Sequence, residues 1–362
     1  MNGGAMRVAL IIERFEPAGG GLEADAWKVA HGLAEAGDEV HVVARRAVES
    51  RAVTLHPVDV RSRWQPLRVS QFARGAARVA PRADFDVVHA FSRTLDQDLY
   101  RAGEGSHADY MMRVYPAWSR RLRRWTPRHA RLLDIERRIF EDDSQVIQCI
   151  SELVRDEIAR RFGVPERRLV TIYNGVDAGH FHPGEAAPRD GSPVWLFAGS
   201  GWRRKGLDTA LAALATGPKQ ARLQVAGRDA VPAWKRRAAQ LGVADRVSFL
   251  GPQSDMATLY RQVDGLLLPT RYDAFANVCL EAAASGLAVV TSGAAGCADL
   301  LRDAGVVVDD PEDIAGFAAA LERLEDSELR AELGQRARAI AELHTWASHI
   351  EQLRDLYRKL RG

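Results

Sequence analysis

The chain has 362 residues, 46% of them hydrophobic and 27% charged, with a formal net charge of +2. That length exceeds what one hydrophobic core usually supports, so two domains are expected, and so small a charge argues against nucleic acid as a partner of the whole molecule. Cys149, Cys279 and Cys297 form no C-x-x-C pair, which argues against a disulfide framework or a zinc site and fits a reducing cytoplasm. Residues 1–6 do not read as a signal peptide, and no apolar run reaches the ~18 residues a membrane-spanning helix needs.

Along the first half, short β-branched runs predict strands at 7–12, 39–44, 53–57, 87–90, 145–150 and 169–173. Helical periodicity falls between them at 22–36, about 67–79, 119–140 and 152–162. Strands in the second half are predicted at 194–198, 222–226, 247–250, 265–269, 288–292 and 305–308, with helices between. Strict alternation implies parallel sheets joined by right-handed crossovers, and its repetition implies two doubly wound domains. The seam is a stretch rich in Pro and Gly that has no periodicity, so the chain divides into residues 1–172, a linker at 173–193, and residues 194–345. Residues 346–360 form an amphipathic helix with Ile350, Leu353 and Leu356 on one face.

Three loops open helices in a way that suits an anion. The first is Gly19-Gly20-Gly21, directly after the first strand, where glycines let a backbone approach an anion and the next helix offers free N–H groups. It is neither G-x-G-x-x-G nor G-x-x-x-x-G-K-[ST], which disfavours a nicotinamide site and excludes a P-loop. The second, residues 199–206, places Arg203, Arg204 and Lys205 at a helix N-terminus, the unfavourable end for cations, as if to neutralise a diphosphate. The third is Asp273–Asn277, where the N–H groups of Ala276 and Asn277 open the next helix. No D-x-D motif lies where it would suit a metal.

Glu281 is the one charged residue between Ala274 and Ala298, inside an otherwise apolar helical stretch. A carboxylate there is costly to bury unless paired, so it is expected to face a ligand, with Asp273 just after a strand. A core helix with a tolerated Glu is the plainer alternative.

The sequence Asp273-x7-Glu281 resembles the E-x7-E signature of retaining glycosyltransferases of family 4, with Asp in place of the first Glu. Arg204-Lys205-Gly206 and the Asn174-Gly-Val-Asp177…Phe181-x-Pro183 stretch are similar to that family too, and the resemblance covers about residues 7–360. Gly20-Gly21-Leu22-x-x-Asp25 and the segment carrying Glu104 and His107 make the first half most similar to the lipopolysaccharide core glucosyltransferase I family. The resemblance implies an α/β, GT-B architecture: two Rossmann-like domains facing each other across a cleft, with the helix at 346–362 packing back on the first. It also implies a retaining, metal-independent enzyme with no cofactor.

Carried onto this chain, the family's pattern implies that Glu281 holds the donor ribose. Asp273 and the N–H groups of Phe275, Ala276 and Asn277 hold the transferred sugar. Arg204 and Lys205 stabilise the departing diphosphate, and Gly20 and Gly21 close on it. Leu250, Gly251 and Arg228 lie near the base. Asp25 and Glu104 orient the acceptor or relay a proton, with His107 beside them. The implied donor is a nucleotide sugar, UDP-glucose, and the acceptor a lipopolysaccharide-core-like or other glycolipid or glycan. A sugar-nucleotide epimerase or phosphorylase, and a non-catalytic glycan- or membrane-binding relative, are the alternatives.

Residues 113–131 contain seven arginines, no acidic residue and interleaved aromatics. This composition suits peripheral binding to an anionic membrane surface, and with the resemblance it implies a cytoplasmic protein on the inner face of the plasma membrane. A solvated basic helix face is the plainer reading. Of the remaining candidates, His89 ends a strand, His182 belongs to the linker, and Trp202 either packs on the donor or fills a domain edge.

Overall fold

Strand β1, Arg7–Phe15, is buried continuously from Val8 to Ile12, as a strand covered on both faces of a parallel sheet must be. The computed structural model to which it belongs describes residues 4–184 and 192–361, so part of the expected linker, 185–191, lies outside the described residues. Contacts divide the chain into two units, Met1–Gly175 with Trp346–Gly362, and Val176–Thr345.

In the first unit, β1 leads into α1, Gly21–Glu35, whose buried Ala26, Val29, Ala30 and Leu33 recur at helical spacing. There follow β2 (Glu39–Ala47), β3 (Thr54–Pro57), α2 (Gln65–Val79), β4 (Val87–Ala90) and β5 (Leu99–Ala102). Next come α3 (His107–Val114), α4 (Ala117–Arg123), α5 (Pro127–Glu141), β6 (Val146–Cys149), α6 (Glu152–Phe162) and β7 (Leu169–Thr171). All seven strands are parallel, in the order β3-β2-β1-β4-β5-β6-β7.

Three elements differ from the sequence expectation, one of them α3, for which no helix was expected. The helix predicted at 119–140 is broken in two, because Pro127 opens α5 at its first turn, where a missing N–H costs nothing. Strand β5 carries no apolar alternation to announce it, since its Arg101 is a fully buried cation.

The second unit runs β8 (Val194–Ala198), α7 (Trp202–Lys205), α8 (Leu207–Thr216), β9 (Arg222–Ala226), α9 (Val231–Gln240), β10 (Val247–Gly251) and α10 (Met256–Tyr260). It continues through β11 (Gly265–Leu268), α11 (Asn277–Ala284), β12 (Ala288–Ser292), α12 (Ala298–Leu301), β13 (Val306–Val308), α13 (Ile314–Arg323) and α14 (Ser327–Leu343). Its parallel sheet has the order β10-β9-β8-β11-β12-β13. Both sheets are therefore doubly wound, with the strand order reversing between β1 and β4 in one and between β8 and β11 in the other.

The chain ends in α15, Trp346–Arg361, which belongs to the first unit. Ile350, Leu353, Leu356 and Tyr357 join the core around β1 and α1. Gly32 of α1 lets the two helices approach, because a Cβ there would stand 2.7 Å from Cγ1 of Ile350. The His349 ring bonds the Tyr173 carbonyl at 2.7 Å, and Tyr357 Oη bonds His89 Nδ1 at 2.7 Å.

Candidate active site

In open parallel sheets, ligands bind beyond the carboxyl ends of the strands where the order reverses. In the second unit that point lies between β8 and β11. The segment after β8 folds into α7, a single turn, and the segment after β11 is the loop from Pro269 to Ala276. Arg271 ties the two together: its N–H bonds the Arg204 carbonyl at 2.8 Å, and its guanidinium grips both Asp208 oxygens at 2.8 Å. Gly206, between α7 and α8, has φ +81°, and a side chain there would collide with the Pro269 carbonyl. Only glycine lets the basic turn sit this close to the end of β11.

The cations stand directly before the N-terminus of α8, as the sequence suggested. Arg203, Arg204 and Lys205 make up most of the single turn α7 and end one residue before Gly206, the N-cap of α8. Lys205 Nζ bonds Asp273 Oδ2, and Arg204 Nη1 bonds the same oxygen at 3.2 Å and the Tyr272 carbonyl at 2.8 Å. Asp273 Oδ1 accepts the N–H groups of Ala276 at 2.7 Å and Phe275 at 3.3 Å. Burial opposes the charge on Asp273, but Lys205 and Arg204 outweigh it and hold the carboxyl well below the usual carboxylate range. Two of the backbone groups expected to meet a sugar thus face Asp273 itself, and the cluster of two cations and one carboxylate keeps one net positive charge.

This carboxylate also shapes the loop. Ala276, the cap of α11, has φ +69°, a left-handed conformation that costs a non-glycine residue about 1–2 kcal/mol, and the bond to Asp273 holds it there. One turn into α11, half-buried Glu281 accepts a 2.9 Å hydrogen bond from Tyr260 Oη, whose ring is fully buried. Burial and then Glu281 push the Tyr260 hydroxyl well above its ordinary range, so it remains a donor. Sequence reasoning missed Tyr260, which lies in α10, too distant along the chain for any local signal.

At the neighbouring strand ends, Arg228 is exposed and its N–H bonds Ser200 Oγ at 3.2 Å. Gly251 accepts the Gly227 N–H at 2.8 Å, and Leu250 beside it is exposed. Trp202 resolves to the edge-filling alternative: it is fully buried, packs on Phe249, and donates to the Gly199 carbonyl at 2.8 Å.

In the first unit the glycine loop has an internal anion. The Glu23 carboxylate pairs with Arg14 at 2.5 Å and lies against Gly20, whose added Cβ would be 2.8 Å from Glu23 Oε2. A glutamate at this position of the first turn complements the helix dipole. Asp25 is buried beneath: Arg101 donates to it at 2.7 Å and Asn174 at 3.1 Å, with Arg101 also bonded to Asn174 at 2.7 Å. The structure therefore places Asp25 in a buried ion cluster, apart from Glu104 and His107, which line a common cavity of about 1070 Å³.

In that cavity Arg93 pairs with Glu104 at 2.5 Å and holds its carboxyl below the ordinary range. His107 Nε2 bonds His129 Nδ1 at 2.8 Å; burial, and then Arg93, lower the His107 pKa to about 3. The backbone N–H groups of His107 and Ala108 donate to the two Glu136 oxygens at 2.6 and 3.2 Å, which fixes the start of α3.

Within residues 113–131, α4 and its end expose Trp118 (75%), Leu122 (71%) and Trp125 (78%). Among the described residues, no helix is long and apolar enough to cross a membrane, and no group of three or more His, Cys, Asp or Glu could hold a metal ion. His89 is fully buried and tied to Tyr357, a structural role, and His182 bonds the neighbouring Pro183 carbonyl at 2.9 Å.

Two doubly wound units, each with its strand order reversing inside the sheet, define the GT-B class of fold, and the comparisons agree. The family described as Glycosyltransferase Family 4 matches residues 19–180, and Glycosyl transferases group 1 matches residues 192–327. The chain is a glycosyltransferase of the GT-B fold that carries these two family domains. It is 29% identical to the "Probable transglycosylase" of Burkholderia thailandensis, with 93% of each chain covered. It is 25% identical to the lipopolysaccharide glucosyltransferase WaaG of Escherichia coli K12, over 97% of this chain and 98% of that one. The crystal structure of WaaG superposes with a TM-score of 0.82, 24% identity and coverage of 97% and 99%. Anabaena HepE, solved in complex with UDP-glucose, superposes with a TM-score of 0.74 at 17% identity, over 98% of this chain and 100% of that one.

Proposed function

We propose that the enzyme transfers glucose from UDP-glucose, with retention and without a metal, to a glycolipid or glycan of the lipopolysaccharide-core kind at the inner face of the plasma membrane. The observation that carries this reading is the convergence of Arg204 and Lys205 on Asp273 at the strand-order reversal, with one positive charge in excess. A diphosphate leaving group is dianionic or more, and cations fixed in advance stabilise the charge that grows on it as the sugar–phosphate bond breaks. In the retaining step, the acceptor oxygen bonds to the anomeric carbon as the phosphate oxygen departs. The hydroxyl proton passes to that oxygen, so no enzymic nucleophile is required. The HepE complex supports UDP-glucose as donor, and the likeness to WaaG supports the acceptor class. The exposed Trp118, Leu122 and Trp125 among arginines support peripheral attachment to an anionic bilayer.

Thermal titration with UDP, GDP and ADP, with and without EDTA, tests the reading. A ligand that binds only the folded state raises the midpoint by mass action. The expected result is a UDP-selective rise that survives EDTA and disappears in Glu281→Ala. A rise that needs a divalent cation, or none with any nucleotide, would overturn it.

A further inference from the structure

The cavity of the first unit is lined by eight arginines and three glutamates, an excess of five positive charges in a chain whose whole net charge is +2. The glutamates are committed: Glu13 is shared by Arg45 at 3.0 Å and Arg68 at 2.8 Å, Glu23 holds Arg14, and Glu104 holds Arg93. Among the described residues, Arg61 pairs only with an exposed Asp59 at 3.3 Å. Among the described residues, Arg46, Arg63 and Arg128 line the cavity with no ion-pair partner. These three come from the end of β2, the stretch before α2 and the first turn of α5, so the fold gathers them from distant parts of the chain.

The rest of the lining is of another kind. His107 stacks on Tyr110 with ring centroids 5.9 Å apart, Tyr110 meets Tyr115 edge-on at 5.9 Å, and Leu132 and Phe72 add apolar surface. Aromatic faces suit the C–H faces of sugar rings, while guanidinium groups suit phosphate or carboxylate, which they can grip with two parallel N–H bonds. A cavity of this size matches a small ligand and not a duplex nucleic acid.

We propose that this cavity binds an acceptor glycan that carries phosphate or carboxylate groups, the anion held by Arg46, Arg63 and Arg128 and the sugar rings lying against the Tyr110–His107 wall. The proposal rests on the glycosyltransferase reading and deepens it, by naming the charge class of the acceptor.

Glucose 6-phosphate, glucose and inorganic phosphate are the probes, titrated calorimetrically into the Lys205→Ala protein so that the phosphate contacts of the second unit are weakened. Glucose 6-phosphate is expected to bind at least about tenfold more tightly than glucose, as a charge-assisted contact would confer. Adding Arg46→Ala, Arg63→Ala and Arg128→Ala should remove that preference. The same three changes with Lys205 intact should leave the UDP-induced thermal shift unaltered, and Arg46→Ala with Arg63→Ala, both outside the basic segment 113–131, should leave binding to phosphatidylglycerol vesicles unaltered. Glucose 6-phosphate binding no tighter than glucose, or unchanged by the three substitutions, would overturn the proposal. So would loss of vesicle binding alone, which would assign the arginines to lipid headgroups. Failure of the parent reading would show separately, as absence of any UDP response in the unaltered protein.

Discussion

Lys205 and Asp273, 68 residues apart in the chain, form one ion pair at the point where the strand order of the second sheet reverses. The lysine side chain is 8% exposed and the aspartate 17%. The pair therefore does two jobs: it neutralises a cation held out of water, and through the other carboxylate oxygen it holds the Phe275–Ala276 backbone in place.

Removal of the carboxylate should break both. Asp273→Ala is expected to destabilise the second unit by about 3 kcal/mol, near the lower end for an uncompensated buried charge because Asp273 retains some solvent contact. Asp273→Asn, which keeps a carbonyl oxygen for the loop, should lose less stability and still lose transfer activity. Urea unfolding and a sugar-transfer assay on both variants check this; equal stability loss in the two would deny the loop-holding role.

Ala276 offers a test in the opposite direction. Alanine-to-glycine changes usually destabilise, yet at φ +69° glycine relieves a left-handed strain. Ala276→Gly is expected to leave stability unchanged or raise it by up to about 1 kcal/mol. A thermal midpoint clearly below that of the parent would show that the bond from Asp273 already removes the strain.

Tyr260→Phe deletes one hydroxyl and leaves the Glu281 carboxylate without that donor in a half-buried position. A cost of about 1–2 kcal/mol is expected, together with weaker UDP binding. Calorimetric titration decides; UDP affinity equal to that of the parent would separate Tyr260 from the nucleotide.

Acid should destabilise the first unit before it disturbs the ion cluster. Burial first lowers His349 to a pKa of about 4, and likewise His107 to about 3, so both stay neutral in the fold where the unfolded chain takes up protons near pH 6.5. The contribution of each is fully present above pH 6.5 and is lost as pH falls from there toward the folded value, at about 1.4 kcal/mol per pH unit at most. Asp273, held below the carboxylate range, stays ionised through that window. Urea unfolding at pH 7 and pH 5 should show the loss, and His349→Asn, which keeps a donor for the Tyr173 carbonyl, should remove the share of it due to His349.

Membrane attachment, if carried by α4, depends on apolar insertion as well as charge. Substitution of Trp118, Leu122 and Trp125 by serine should leave the fold intact, since all three are more than two-thirds exposed, and abolish co-sedimentation with phosphatidylglycerol vesicles. Added salt should weaken binding of the unaltered protein. Full vesicle binding by the triple variant would remove α4 from the account.

The strands Val194–Ala198 and Ala288–Ser292 are legible in the sequence to the residue, because parallel strands covered on both faces are near-continuous β-branched or apolar runs, and Arg222–Ala226 is legible from its buried Leu223, Val225 and Ala226. So are the doubly wound class and the acidic loop before α11, whose lone Glu281 stands out against apolar neighbours. Strand β5 was not, since its signature is a buried Arg101 whose partner Asp25 is 76 residues away. Nor could the chain alone show that Lys205 meets Asp273, that Tyr260 reaches Glu281, or that Arg46, Arg63 and Arg128 share one cavity. Periodicity and turn chemistry act over a few residues and are written locally. Which charge meets which depends on strand order, and that is decided only when β8 packs beside β11 and β1 beside β4.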